Sequence, residues 1–421
     1  MAAQIRYANI CLNGPGKGHN AMDEAFLLTE IERPHKPSGQ KDFLGVGQGE
    51  NVLRYHRSFP AYSQTPMVDL KNLAIAAGVS KIFVKDESSR FGLNAFKVLG
   101  GSYCIGMYIA DTLGLSPDEI TYDNLCSPEA KAALGQLTFV TATDGNHGRG
   151  VAWTARELGH KAVVYMPYGS AAERLENIRA EGAEASITDM NYDETVRFAN
   201  RMSIEKGWIM VQDTAWEGYE QIPRRIMQGY ATMAFEAVEQ LAGRIPTHVF
   251  LQAGNGSMAG ALSGYLANFY GVNKPVITIV EPVKANCIYK TALAKDGRLH
   301  FDYGPMDTIM AGLACGEPNP LAWDILRETA DYSVCCPEWV SAKGMRILGN
   351  PIGDDPKVVS GESGAVTTGF AASVMMREDL LRIREKLGLT ADSIVLCIST
   401  EGDTDRVNYR SIVWDGKYQS L

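Results

Sequence analysis

From residue 81 onward, short apolar runs rich in β-branched residues alternate with stretches of helical spacing. The runs cover residues 81–85, 137–141, 161–165, 208–211, 248–251, 275–280 and 393–397. Helical segments such as 151–158 and 222–241 separate them. Short apolar runs bounded by polar residues are typical of strands buried on both faces of a parallel sheet. The pattern therefore predicts an α/β fold built from βα units.

The chain is long enough to share these strands between two domains. It has 421 residues, of which 45% are hydrophobic, and single cores rarely grow to that size. We therefore predict two doubly wound domains with mainly parallel sheets, and we expect ligands to bind at the carboxyl ends of the strands. Residues 31–66 are rich in Pro, Gly, Ser and charge, and this composition predicts a surface arm or linker.

Charge and composition disfavour several classes of partner. The chain carries 40 basic and 49 acidic residues, a net charge of -9, without a basic block that could neutralise phosphates. We therefore expect no nucleic acid as partner, and we expect no membrane because no apolar run approaches the length of a membrane span. The N-terminal sequence lacks the pattern of an export signal, which predicts a cytoplasmic location. Eight scattered cysteines without a C-x-x-C pair predict no metal site.

Lys97 begins an apolar helical segment that follows a strand end and a polar loop. At such a position, desolvation and the positive end of the helix dipole lower the pKa of an amine toward the neutral form that Schiff-base formation needs. Lysines near helix starts are also commonly solvated, with only their stems packed. For this segment read alone, the solvated interpretation is favoured.

A second polar segment, Thr143-Asp-Gly-Asn-His-Gly148, also follows a strand. Asp144 can serve as a general acid or base, although an Asp at a strand end is more often a helix cap. His147 is a competing base, but we expect a structural, hydrogen-bonded role for it.

A third segment turns from a strand into a helix through Gly254 and Gly256. Such a turn presents free N–H groups to an anion such as a cofactor phosphate. The same residues, with Ala259, match the G-x-G-x-x-A pattern of dinucleotide-binding sites, and Glu281 ends the next strand at a suitable distance. A nicotinamide-dependent dehydrogenase is therefore a rival interpretation.

A fourth segment near the C-terminus ends a strand on Ser399 and Thr400. A hydroxyl there can hydrogen-bond a pyridine nitrogen without forcing it to stay protonated. A turn that merely caps a helix is the more common use of such residues.

Taken in order, these segments resemble the fold type II pyridoxal-phosphate enzymes, the group of threonine dehydratase, serine dehydratase and cysteine synthase. More narrowly, they resemble the diaminopropionate ammonia-lyases. The resemblance spans most of the chain after residue 80. The matching segments are Phe91-Gly-Leu-Asn-Ala-Phe-Lys97, Thr143-Asp-Gly-Asn-His-Gly148, Val211-Gln-Asp-Thr-Ala-Trp-Glu-Gly-Tyr-Glu220 and Ser399-Thr-Glu-Gly402.

The resemblance implies a role for each matched position. Lys97 would hold the cofactor aldehyde and Asn146 would contact its phenolic oxygen. Ser399 or Thr400 would face the ring nitrogen. The remaining cofactor-binding residues implied are Gly254, Asn255, Gly256, Ser257 and Met258 around the phosphate, together with Glu281.

The resemblance also implies a domain division, an assembly and a reaction. Residues 1–100 and 213–421 would form a large cofactor-binding domain, residues 101–212 a small one, and two chains a homodimer. The reaction would be α,β-elimination of 2,3-diaminopropionate to pyruvate and two ammonia; a serine or threonine dehydratase is the alternative.

Acid–base roles for Asp144 and Asp213 follow from the narrower resemblance, since the dehydratases carry a small residue where Asp144 stands. We expect Asp144 to serve the D isomer of the substrate and Lys97 the L isomer. A purely structural role for Asp213 is about equally expected.

Overall fold

The described residues, 26–143 and 145–419 of a computed structural model, form two sheets that are flanked by helices. The strands are β1 (Leu27–Glu30), β2 (Met67–Asp69), β3 (Lys81–Asp86), β4 (Thr138–Ala142), β5 (Lys161–Met166), β6 (Glu184–Ile187), β7 (Ile209–Met210), β8 (His248–Gln252), β9 (Val276–Pro282), β10 (Tyr332–Cys336) and β11 (Ile394–Ser399). All seven predicted runs contain a strand.

The helices alternate with the strands over most of the chain. They are α1 (Val46–Arg57), α2 (Lys71–Ala77), α3 (Val98–Leu113), α4 (Tyr122–Leu125), α5 (Pro128–Leu134), α6 (Asn146–Glu157), α7 (Ala172–Ala180), α8 (Tyr192–Lys206), α9 (Gln221–Leu241), α10 (Ser257–Tyr270), α11 (Cys287–Ala294), α12 (Pro320–Thr329), α13 (Glu338–Gly349), α14 (Glu362–Met376), α15 (Leu381–Leu387) and α16 (Arg406–Val413). Among the described residues, no helix is long and apolar enough to cross a membrane.

The larger sheet has seven strands in the order β1-β10-β9-β8-β11-β3-β2, and only the two edge strands, β1 and β2, run antiparallel to their neighbours. The smaller sheet has four parallel strands in the order β6-β5-β4-β7. Its strands all lie between residues 138 and 210, which is compatible with the predicted small domain; the domain boundaries themselves stay a prediction.

The prediction of a linker over residues 31–66 is wrong for its second half. Helix α1 occupies residues 46–57 and buries Val52, Leu53 and Tyr55 against the rest of the core. The Tyr55 hydroxyl donates a hydrogen bond of 2.8 Å to the carbonyl of Ser102. Two glycines inside the helix and the polar residues around it masked the helical spacing of these apolar side chains.

Candidate active site

A cavity of about 780 Å³ lies where strand ends of both sheets meet. It is lined by most of the residues that the sequence predicts for the site: Lys97, Asn146, Asp213, Gly254, Asn255, Gly256, Ser257, Met258 and Thr400. Ser399 and Glu281 are not part of the lining, and Asp144 lies outside the described residues. Parallel strands bring these distant segments together because their carboxyl ends share one edge of each sheet.

Lys97 immediately precedes helix α3, as predicted, and its ammonium is paired with Asp213. The Nζ atom lies 2.5 Å from Oδ2 of Asp213, and 23% of the lysine side chain is exposed. Burial by itself would lower the pKa of Lys97, but the Asp213 carboxylate outweighs it and holds that pKa well above its ordinary value. The expectation of a lowered pKa is therefore wrong for the paired lysine, because the carboxylate comes from a segment 116 residues away.

Asp213 follows strand β7 and is itself held in place by hydrogen bonds to its backbone. Its carbonyl accepts from Ser257 Oγ at 2.8 Å, from Asn319 Nδ2 at 3.3 Å and from Asn255 Nδ2 at 3.4 Å. Burial raises the pKa of the Asp213 carboxyl, but the Lys97 ammonium more than offsets this and brings that pKa to about 2. The partner of Lys97 is thus a carboxylate at any ordinary pH.

The glycine-rich turn after β8 supplies a helix N-terminus to the cavity. Gly256 has a φ of 90°, a left-handed conformation that a glycine adopts without strain, and it directly precedes α10. Backbone N–H groups in the first turn of a helix have no intrahelical acceptor. Asn255 Oδ1 accepts from the N–H of Ser257 at 3.0 Å, which fixes the turn. The turn is therefore shaped for an anion, as the sequence predicts.

Of the two hydroxyls at the end of β11, Thr400 is the one at the cavity. Its side chain is 3% exposed, and its Oγ1 accepts from Gln252 Nε2 at 3.2 Å. The Ser399 hydroxyl instead donates to Ser360 Oγ at 2.8 Å, away from the cavity lining. Sequence alone left this choice open, because both residues carry the same group.

Asn146 and His147 begin helix α6 and make different contacts. The Asn146 side chain lines the cavity and its Nδ2 donates to Glu401 Oε2 at 2.9 Å. His147 Nε2 is hydrogen-bonded to the carbonyl of Val211 at 2.8 Å, which supports the structural role expected for it. Glu401, 7% exposed, also accepts from the N–H of Ser363 at 3.2 Å.

Glu281 lies at the end of β9 but is not directed at the cavity. Its carboxyl oxygens accept from the N–H groups of Ile288, at 2.9 Å, and Tyr289, at 2.7 Å, in the first turn of α11. Complete burial raises the pKa of Glu281 to about 8, so the carboxyl is protonated at neutral pH. The geometry therefore gives no support to the cofactor contact predicted for it.

Sequence reasoning missed several charged residues of the cavity, namely Arg174, Asp307, Glu401 and Asp405. Glu401 had a signal, since it follows Thr400 at a strand end within a segment already singled out. Asp307 lies in a loop between α11 and α12 that carries no recognisable pattern. Its position is fixed by tertiary contacts, such as the 2.9 Å hydrogen bond from the N–H of Ile309 to Glu338.

Comparisons with known proteins agree with this geometry. A family model described as pyridoxal-phosphate dependent enzyme matches residues 59–399. The diaminopropionate ammonia-lyase of Escherichia coli (strain K12) is 52% identical over 374 residues, which cover 88% of this chain and 92% of that protein. The chain belongs to the diaminopropionate ammonia-lyase family.

Solved structures extend the likeness to three dimensions. The Escherichia coli diaminopropionate ammonia lyase in complex with an aminoacrylate-PLP azomethine reaction intermediate matches with a TM-score of 0.86 at 47% identity, over 94% of this chain and 98% of that chain. The processed threonine deaminase isoform 2 of Solanum lycopersicum, at 18% identity, matches over 94% of this chain and 97% of that chain with a TM-score of 0.70, and supports the fold alone.

Membership of the diaminopropionate ammonia-lyase family makes the chain a pyridoxal-phosphate-dependent carbon–nitrogen lyase. The predicted fold class and cofactor are therefore confirmed, and the alternative of a nicotinamide-dependent dehydrogenase is wrong. The residues present also fit the cofactor chemically. One cavity offers a primary amine at Lys97, a helix N-terminus at Gly256 for a phosphate and a hydroxyl at Thr400 for a pyridine nitrogen.

Proposed function

We propose that this chain removes the β-amino group of 2,3-diaminopropionate as ammonia and releases pyruvate and a second ammonia. The observation that carries the proposal is the pairing of Lys97 with Asp213 in a cavity that three further carboxylates line. Among the described residues, these are the side chains of Asp307, Glu401 and Asp405, and Arg174 is the one arginine of the lining.

The charge of the cavity suits a diamino acid. A substrate with two amino groups and one carboxylate carries more positive charge than serine or threonine, whose charges cancel. Carboxylates at the cavity wall attract the additional ammonium group of a diamino acid. A zwitterion without that group, such as serine, gains less from them. This complementarity favours 2,3-diaminopropionate over a hydroxy amino acid.

Each residue of the cavity has its own role toward the cofactor or the substrate. When bound, pyridoxal phosphate supplies an electron sink for the negative charge left at the substrate α-carbon. Lys97 would hold the cofactor aldehyde, the turn from Gly254 to Met258 would hold its phosphate, and Thr400 would donate to its ring nitrogen. Asn146 would hold the phenolic oxygen, and the hydrogen bond from Asn146 to Glu401 orients the Asn146 amide. Asp213 acts as an acid–base group through its contact with Lys97.

Two bases give the proposal its stereochemistry. Lys97 takes the α-proton of the L isomer, and Asp144, outside the described residues, takes that of the D isomer and protonates the leaving amino group. Asp144→Asn should then remove activity on the D isomer preferentially, as measured by pyruvate release from each isomer. Equal loss on both isomers would rule out this division of roles.

The substrate is tested by comparing amino acids on purified holoprotein. We expect kcat/KM for pyruvate release to be roughly a hundredfold or more higher for 2,3-diaminopropionate than for serine, and for ketoacid release from threonine to be equally poor. Ammonia measured in the same samples should reach two molecules per pyruvate from diaminopropionate and one from serine. Preference for serine or threonine would identify a dehydratase instead.

Three further predictions accompany the function. A homodimer is a proposal that depends on the resemblance, and a cytoplasmic location is a second proposal. The boundaries of the two domains are supported by the grouping of β4 to β7 in one sheet. Sedimentation of the purified protein tests the first of these directly.

A further inference from the structure

Tyr230 is a completely buried tyrosine on α9 whose hydroxyl has no hydrogen-bond partner among the described residues. Its ring packs on that of Phe96, with 4.9 Å between the ring centroids. Gly100 makes room for it, since a Cβ there would lie 2.5 Å from a ring carbon of Tyr230. A buried polar group without a partner destabilises the folded protein, so this arrangement calls for an explanation.

The side chain of the reactive lysine interacts with the Tyr230 hydroxyl. The Lys97 Nζ atom lies 5.8 Å from the centre of the Tyr230 ring and 5.7 Å from that of Phe96. Burial raises the pKa of Tyr230 above its ordinary value, although the Lys97 ammonium acts against it. The phenol therefore keeps its proton at neutral pH and is able to donate it to a hydrogen bond.

Lys97 needs different partners in its two protonation states. As an ammonium it donates to Asp213, which is a carboxylate and accepts only. As a neutral amine it has a lone pair that a carboxylate cannot satisfy, and a hydroxyl donor beside it stabilises this form. We propose that the Tyr230 hydroxyl is this donor and that Tyr230 is a positioning residue for the neutral Lys97 amine.

Lys97 then has a different hydrogen-bond partner in each protonation state. As a free neutral amine, it accepts a hydrogen bond from the O–H of Tyr230. The α-proton of the substrate then moves to Nζ, and the resulting ammonium is held by Asp213. The phenol proton stays on its oxygen throughout, so no proton is lost or gained by Tyr230. The inference depends on the role proposed for Lys97 but not on which amino acid is the substrate.

The test is the variant Tyr230→Phe, which keeps the ring and removes only the hydroxyl. Apoprotein is mixed with pyridoxal phosphate at a series of pH values, and the rate of covalent attachment is followed by visible absorbance. We expect the pH midpoint of this rate to move upward, so that attachment at neutral pH slows about fivefold, which is what one ordinary hydrogen bond supplies. The pH profile of kcat should move in the same direction, with KM unchanged.

The control is Tyr103→Phe on α3, where the hydroxyl instead accepts from Gln48 Nε2 at 2.9 Å. Its pH midpoint should match that of the parent protein. Thermal unfolding tests a purely structural role, and Tyr230→Phe should unfold at the parent temperature or above, because it loses an unpaired hydroxyl. An unchanged or lowered pH midpoint in Tyr230→Phe would overturn the inference. Because no substrate is present, such a result is distinct from a failure of the proposed reaction.

Discussion

Two lysines within twelve residues of one another are each paired with a carboxylate, but only one pair faces a cavity. Lys85 is completely buried and donates to the carbonyl of Thr65 at 2.7 Å, to Glu236 at 2.6 Å and to Gln240 at 2.8 Å. Among the described residues, Lys97 donates to Asp213 at 2.5 Å, and 23% of its side chain is exposed. The first ammonium has used its three donors, whereas the second is free to leave its partner.

Glu236, the carboxylate partner of Lys85, belongs to a buried hydrogen-bond network. Glu236 accepts from Lys85, from Arg90 at 2.8 Å on each oxygen and from Tyr62 at 2.7 Å. Burial lowers the pKa of Lys85 in spite of the Glu87 and Glu236 carboxylates, while Asp213 holds the pKa of Lys97 high. A lowered pKa alone therefore does not identify a reactive lysine. Space beside the amine and incomplete hydrogen bonding distinguish the active site from the structural network.

The largest effect should come from Lys97→Ala. We expect loss of the visible absorbance of bound cofactor and a fall in pyruvate release of about a thousandfold or more, because both covalent attachment and proton transfer are removed. Urea unfolding of the apoprotein should also show a loss of about 2 kcal/mol, because the buried Asp213 carboxylate loses its ion-pair partner. Cofactor absorbance that survives in this variant would contradict the comparison.

Glu236→Gln breaks the other pair and should act on stability instead. Removing one partner of a buried ion network leaves charge uncompensated and costs about 3–5 kcal/mol. Urea unfolding measures this cost. The control is Glu239→Gln, whose ion pair with Arg57 is exposed and should contribute at most about 1 kcal/mol. Equal stability of the two variants would show that the buried network is dispensable.

Asp213→Asn should move the pH dependence of Lys97. Without the carboxylate, the pKa of Lys97 falls, and attachment of the cofactor to apoprotein should begin at lower pH. The pKa of Asp213 is about 2 in the folded protein, below its ordinary value of 3.8. The ionised carboxylate therefore stabilises the fold above about pH 4, and this stabilisation is lost as the pH falls through 2. The variant apoprotein should therefore lose about 2 kcal/mol at neutral pH and match the parent near pH 2. An unshifted attachment profile would contradict the pairing.

Glu281→Gln should have the smallest effect on the active site. The affinity for pyridoxal phosphate should stay within about twofold of the parent, because the side chain caps α11 rather than lining the cavity. Burial raises the pKa of Glu281 from 4.5 to about 8. The stabilisation that depends on the protonated carboxyl is therefore complete below about pH 4.5 and is lost as the pH rises through 8. The parent should therefore lose stability relative to the variant over this range. A large loss of cofactor affinity would restore the predicted contact.

Sequence predicted those parts of the fold whose signal is local. The runs that became β3 and β8 are continuous and apolar, so each was recognisable by itself. Strands β2 and β6 were missed, and so were edge strand β1 and strand β10. β1 lies in the N-terminal region before residue 81, and β10 mixes Ser and Cys with a single Val. Their pairing, Leu27 with Cys335, depends on residues about three hundred positions apart.

In the candidate site, too, local sequence signals were predictable and contacts between distant segments were not. Lys97, Asn146 and the Gly254 turn follow strands in recognisable segments, and the structure brings them into one cavity. The direction of a side chain was not predictable, since Glu281 also ends a strand yet faces the first turn of α11. Partners that belong to other segments, such as Tyr230 beside Lys97, leave no pattern in the sequence around the lysine.

The most direct test of the role of Lys97 is to locate the lysine that binds the cofactor. Holoprotein is reduced with sodium borohydride, digested and analysed by mass spectrometry for the pyridoxyl label. We expect one label per chain, on Lys97, with Lys85 unmodified. A label on Lys85 or on another lysine, or a reduced protein without any label, would contradict it.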